Sequence, residues 1–228
     1  MKDDGHPIKL YRRGLCCIGG NWIGEQAKND LNPLATYKRE VGEELSFGKT
    51  TASTLELRLL GLQPEGNFYS VPTTGVVPST DDESALMEIK NILTSRCAPF
   101  GTWINFITKR ALDAADQKNT REGFSTLSCY WTTALKEDEW KTLVGLQKKF
   151  GNLSNESITV VTSLDEILES GVSGAFVHEQ VLQQFFLSFG FKEAMKMRII
   201  PHQTSTYAGT ALASYDEYLE RFEVVKHP

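Results

Sequence analysis

Arg39-Glu40-Val41-Gly42-Glu43-Glu44-Leu45-Ser46-Phe47 is the stretch on which the reading of this chain turns, with Gly19, Gly20 and Glu25 shortly upstream. Glu40, Glu43 and Glu44 fall at i, i+3 and i+4, so a helix places them on one face. Three neighbouring carboxylates repel one another unless a cation sits among them. Oxygen-only ligation selects a hard cation such as Mg²⁺ or Mn²⁺. A hard cation with open positions is the usual equipment for attacking a phosphate ester or anhydride.

The helix that carries these residues is well signalled. Asn32 is a good N-cap and Pro33 suits the first helical position. Leu34, Tyr37, Val41 and Leu45 form an apolar stripe at spacings of three and four, which predicts packing against a sheet. Arg39 precedes Glu40 directly and Glu43 by four, placed to brace one carboxylate while the others hold metal.

These residues resemble the Nudix hydrolase signature, Gly-x5-Glu-x7-Arg-Glu-U-x-Glu-Glu-x-Gly-U, in which U is a bulky apolar residue. Gly19 and Glu25 match its first half, and Arg39, Glu40, Val41, Glu43, Glu44 and Phe47 match its second half at the right spacing. Two positions depart from it. Thirteen residues separate Glu25 from Arg39 where the family has seven, which reads as a six-residue insertion around 27–31. Ser46 replaces the glycine that ordinarily ends the helix, and Gly48 is the nearby candidate for that role.

The resemblance implies an α/β (α+β) fold, a Nudix-like α/β/α sandwich with a mixed β-sheet. It implies that Glu40, Glu43 and Glu44 bind Mg²⁺ or Mn²⁺, that Gly20 adds a backbone carbonyl, and that Glu25 and Arg39 orient loop and helix. Glu43, Glu44, Arg39 and Glu25 are thereby the candidate catalytic residues. The implied activity is hydrolysis of a nucleoside diphosphate derivative by water attack on phosphorus. The family often recruits a further carboxylate from a distant loop, for which Glu122, Glu156 and Glu179 are candidates. A homodimer is the assembly the family suggests. Some Nudix-like domains bind nucleotides without cleaving them, so a binding or regulatory module is the alternative reading.

Composition narrows the field. The 228 residues suit one domain with embellishments, and 40% hydrophobic against 23% charged residues is an ordinary globular balance. A net charge of −5, a pI near 5.5 and the lack of a basic tract argue against broad nucleic-acid binding, leaving a capped RNA end as the one nucleic-acid substrate in view. No stretch reads as a membrane span or signal peptide, and Cys16, Cys17, Cys97 and Cys129 fit no zinc spacing. Reduced thiols in a cytoplasmic protein are the expectation.

Outward from the signature, residues 8–18 read as a strand running into the Gly19-Gly20 turn, with Arg12 and Arg13 as candidate phosphate-binding residues. Strands are expected at 54–62, 67–71, 125–135 (a central strand), 158–162 and 197–200. Helices are expected at 81–95, 102–115, 136–150 and 176–189, with capping boxes at Ser163 and Ser214. The two helices at 81–95 and 102–115 suggest a helical insertion over 64–124, and 191–228 a C-terminal extension. His178, beside Glu179, reads as a structural histidine, because nothing in the sequence places it near the carboxylates.

Overall fold

Asn32 opens the first helix as its sequence predicts. Its side-chain oxygen accepts from the Ala35 N–H at 2.9 Å, and Pro33 takes the first helical position. This helix, α1, spans Pro33–Glu44. It is followed by α2 (Thr80–Ser95), β1 (Ala98–Ile107), β2 (Phe124–Thr132), α3 (Glu137–Phe150), α4 (Leu164–Ser170), α5 (His178–Ser188), a 3₁₀ turn (Lys192–Lys196) and β3 (Ser205–Tyr207). The computed structural model describes residues 14–20, 32–47, 76–107, 124–154, 159, 161–171, 174, 178–197 and 205–207. Helices and a small antiparallel sheet make this an α+β chain.

The chain divides into two compact units. One comprises Met1–Gly20, Lys38–Ser95 and Leu135–Ile200, the other Asn21–Tyr37, Arg96–Ala134 and Pro201–Pro228. In the second unit β1 pairs with β2 on one side and with β3 on the other, both antiparallel. The register runs from Ala98 opposite Thr132 to Ile107 opposite Phe124, with an irregularity between Pro99 and Gly101. Proline is tolerated there because it sits at the start of the strand. Tyr37 stacks on Trp131 with ring centroids 5.8 Å apart. Burial raises the Tyr37 hydroxyl pKa, and a hydrogen bond with Thr133 opposes the shift.

Two expectations are corrected here. Residues 102–107 form a strand and not the start of the helix expected at 102–115. Trp103, Phe106 and Ile107 satisfy a helical spacing, but aromatic and β-branched residues also favour a strand when a partner is at hand, and β2 supplies it. Among the described strands the central one is β1, with β2 beside it at one edge. The expected strands at 54–62 and 67–71, and the capping box at Ser214, lie outside the described residues.

In the first unit the described elements are helical. Val41 from α1, Leu45 just after it, Leu86 and Ile89 from α2, and Leu146 and Phe150 from α3 are buried. Each such side chain contributes about 1.5–3 kcal/mol by leaving water. The α3 helix closes at Gly151, whose N–H returns to the Gln147 carbonyl at 2.7 Å. The loop after it is polar in composition, yet residues 151–154 are all buried. Gln147 and Asn152 make that burial tolerable. Gln147 Nε2 donates to the carbonyls of Gly151 and Thr159, and Asn152 Oδ1 accepts from the Ser154 and Thr159 N–H groups.

Ser163 caps α4 as a capping box, accepting from the Glu166 N–H while Glu166 reaches back to the Ser163 N–H. Ile167, Ala194 and Met197 form a second apolar cluster with Leu15, Leu164, Leu168, Leu182, Phe186 and Leu187 around it. Leu15 therefore joins the start of the chain to the α4–α5 region. It also makes an isolated parallel bridge to Gly174. Of the strand expected at 8–18, residues 14–18 are described, and they make this single bridge and no continuous strand. None of the cysteines is in a disulfide. Burial, reinforced by the neighbouring Cys16 thiol, pushes the Cys17 thiol up to about 12, and burial pushes Cys129 up to about 11, which keeps both unreactive at neutral pH.

Candidate functional site

The site is built on the last turns of α1, and its charges run against the helix. The first turn of α1 carries no acidic residue and its last turn no basic one, while Glu43 and Glu44 stand at its C-terminal end. A helix C-terminus carries the negative pole of the macrodipole, so anions there are unfavourable. Two cationic side chains relieve the strain. Arg39 Nη1 lies 2.7 Å from Glu40 Oε1 and 2.8 Å from Glu43 Oε2. Lys90, reaching across from α2, donates from Nζ to the Gly42 carbonyl at 2.9 Å, satisfying one of the orphan carbonyls of the helix end.

The glycine turn upstream closes on the same face. The Gly19 N–H donates to Glu44 Oε2 at 3.2 Å across a separation of 25 residues. Gly19 has φ of 154°, a backbone setting that glycine adopts far more readily than other residues. Gly20 lies so close to Glu40 that a Cβ on it would collide with both carboxylate oxygens. A side chain there would have to displace the Glu40 carboxylate or the turn. Glu40 is 8% exposed, Glu43 is exposed and Glu44 is half-buried, so the three carboxylates grade from the turn outward.

The structure thus brings together Gly19, Gly20, Arg39, Glu40, Glu43 and Glu44. Glu25, Arg12 and Arg13 lie outside the described residues, as do Glu122 and Glu156. Glu179 is 2% exposed in the first turn of α5, its carboxylate over the backbone of Gly174, where a Cβ would strike it.

The donor set suits a hard divalent cation: carboxylate oxygens and a backbone brought against one of them by a glycine. In this arrangement the carboxylates are committed to Arg39 and to the Gly19 N–H, and among the described residues no group of three or more His, Cys, Asp or Glu side chains is drawn together in a metal-holding cluster.

Sequence reasoning missed two contacts around this site. One is the Lys90 tie to Gly42, which joins residues 48 apart. The other is a hydrogen bond from the Cys17 N–H to His178 Nδ1, 2.9 Å long and spanning 161 residues. Neither carries a local signal, since a lysine on a helix and a histidine at a helix start are ordinary in isolation.

Among the described residues no helix is long and apolar enough to cross a membrane. Comparison of the chain with family models, with curated proteins and with solved structures gives no match.

Proposed function

We propose that this chain is a Nudix-type hydrolase that cleaves the diphosphate linkage of a nucleoside diphosphate derivative, on a Nudix-like sandwich. The observation that carries the reading is the closure of the Gly19-Gly20 turn onto Glu44 and Glu40. Loop and helix of the signature meet in space although about twenty residues separate them, including the insertion.

A divalent cation, Mg²⁺ or Mn²⁺, supplies neutralisation of phosphate charge and acidifies water when bound. Glu40, Glu43, Glu44 and the Gly20 carbonyl are the groups that would hold it. Gly20, having no side chain, lets the Glu40 carboxylate lie against the turn. Arg39 orients Glu40 and Glu43 and offsets their mutual repulsion. Arg12 and Arg13 are the proposed phosphate-binding side chains. The substrate is a small molecule, or the capped end of an RNA, in the cytoplasm.

A second reading has one observation in its favour. Arg39 holds two of the three carboxylates, which suits a nucleotide-binding or regulatory module that no longer cycles metal.

Turnover separates the two. A panel of nucleoside diphosphate derivatives with Mg²⁺ or Mn²⁺ should give release of a nucleoside monophosphate or phosphate by the wild type. Glu43→Gln and Glu44→Gln should each lower that rate by about 10²–10³-fold, the usual cost of deleting a charge-stabilising group. Ligand-dependent thermal stabilisation without turnover would favour the binding module. Neither effect on any substrate would sink the metal site.

A further inference from the structure

The glycine turn is held from two sides. From α1 come the Glu44 carboxylate on the Gly19 N–H and the Glu40 carboxylate against Gly20. From the opposite end of the chain comes α5. Its first residue, His178, accepts the Cys17 N–H on Nδ1 at 2.9 Å, and Gly174, just before the helix, bridges Leu15 in parallel. Leu15 itself packs on the Ile167–Ala194–Met197 cluster. Residues 15 and 17 are thereby fixed to the α5 region, and two residues later the chain enters the turn.

We infer that His178 is a positioning residue for the metal-binding turn, acting through the Cys17 amide to set where Gly19 and Gly20 meet Glu44 and Glu40; this rests on the hydrolase reading above. Geometry explains why the link matters. Gly19 and Gly20 have no side chains with which to hold themselves, and the Gly19 bond to Glu44 is exposed at 3.2 Å. The Cys17 bond is part-buried and shorter. It is the firmer of these two side-chain anchors, and it lies on the N-terminal side of the turn. A slack turn would let the Gly20 backbone and the Glu40 carboxylate drift apart. Displacements near 1 Å are enough to cost about a hundredfold in a positioned reaction.

The role needs an acceptor at the Nδ1 position and no basicity. Asparagine offers an acceptor oxygen at that place, whereas alanine does not. The test compares wild type, His178→Ala and His178→Asn by three readings: hydrogen exchange of the Cys17–Gly20 amides, Mn²⁺ affinity by calorimetry, and kcat and KM on the best substrate of the panel. His178→Ala should speed exchange at those amides about five- to tenfold, the scale of one lost hydrogen bond. It should weaken Mn²⁺ binding about tenfold and lower kcat with KM little changed. His178→Asn should restore all three to within about twofold.

A folded His178→Ala protein with wild-type Mn²⁺ affinity and kcat would overturn the positioning role and leave the hydrolase reading intact. So would a folded His178→Asn protein that fails to recover. If the wild type neither turns over nor binds Mn²⁺, the hydrolase reading falls and takes this role with it. If His178→Ala does not fold, the Asn variant alone decides: wild-type exchange, affinity and kcat support the role, and loss of affinity in a stable protein ends it.

Discussion

The helices α1 and α3 treat their own dipoles in opposite ways. α3 opens with Glu137, Asp138 and Glu139 and ends with Lys148 and Lys149. Every one of those charges favours the helix. α1 has no acid in its first turn and ends in Glu43 and Glu44. It is held at that end by Lys90 of α2 on the Gly42 carbonyl and by its own Arg39, one turn back, on Glu40 and Glu43. Stability alone accounts for α3. It does not account for α1, whose last turn keeps carboxylates where they cost free energy. Such a local conflict is what a functional site looks like. The difference teaches where to look first: at the helix end whose charges its own dipole does not favour.

The comparison can be broken most sharply at Gly20. A Gly20→Ala protein must move either the turn or the Glu40 carboxylate, because the added carbon collides with it. Steady-state turnover should fall by about a hundredfold, with a much smaller change in melting temperature. Wild-type turnover in this variant would mean that the turn and Glu40 need not meet.

Next in size is a change on α3. Gln147 is fully buried and donates to the Gly151 and Thr159 carbonyls. Gln147→Leu leaves both without that donor and should lower stability in urea by about 1–3 kcal/mol. Turnover per folded molecule should not change. A fall in kcat in the fully folded variant would show that α3 is more than scaffold.

A smaller effect of opposite sign is expected at Glu44. Glu44→Gln can still accept from the Gly19 N–H, but it removes a negative charge from the negative pole of α1. Without added metal its stability should rise by about 0.3–1 kcal/mol, while activity is lost. A drop in stability would mean that the Glu44 charge serves the fold and would remove the contrast with α3.

The smallest effect belongs to Asp82. Hydrogen bonds from Lys149 and Ser79 hold its carboxyl down at about 2. A carboxyl depressed in the folded state stabilises above its unfolded pKa near 4 and loses that contribution as pH falls towards 2. Thermal midpoints of wild type should therefore decline between about pH 4 and pH 2 more steeply than those of Asp82→Asn. Parallel curves would show that the Lys149 link between α2 and α3 adds nothing.

Much of the helical part was legible in the sequence. Asn32-Pro33, the Ser163 box and the periodic apolar residues of 81–95, 136–150 and 176–189 correspond to α1, α4, α2, α3 and α5 within a few residues. Helices are written locally: the cap, the stripe and the terminator lie within one turn of the residues they act on. The strand β1 was not legible. Its apolar spacing at Trp103, Phe106 and Ile107 serves either period, and the arbiter was β2, whose Phe124 pairs with Ile107 seventeen residues away. That the loop 151–154 is buried was not legible either, for a similar reason. Its polar groups look like solvent ligands until Gln147 and the Thr159 backbone are there to meet them.

For the candidate site the division is the same. By itself the sequence determined α1, its Asn32 cap and the order of Arg39, Glu40, Glu43 and Glu44 along one face, because helical spacing alone fixes neighbours three and four residues apart. Only the tertiary structure decided that Gly19 and Gly20 come to those carboxylates, that Lys90 closes the end of α1, and that His178 reaches Cys17 from 161 positions away. Those contacts depend on how the chain closes long loops. Loop closure is settled by the burial of apolar residues such as Leu15 and Ile167, whose partners no local pattern names.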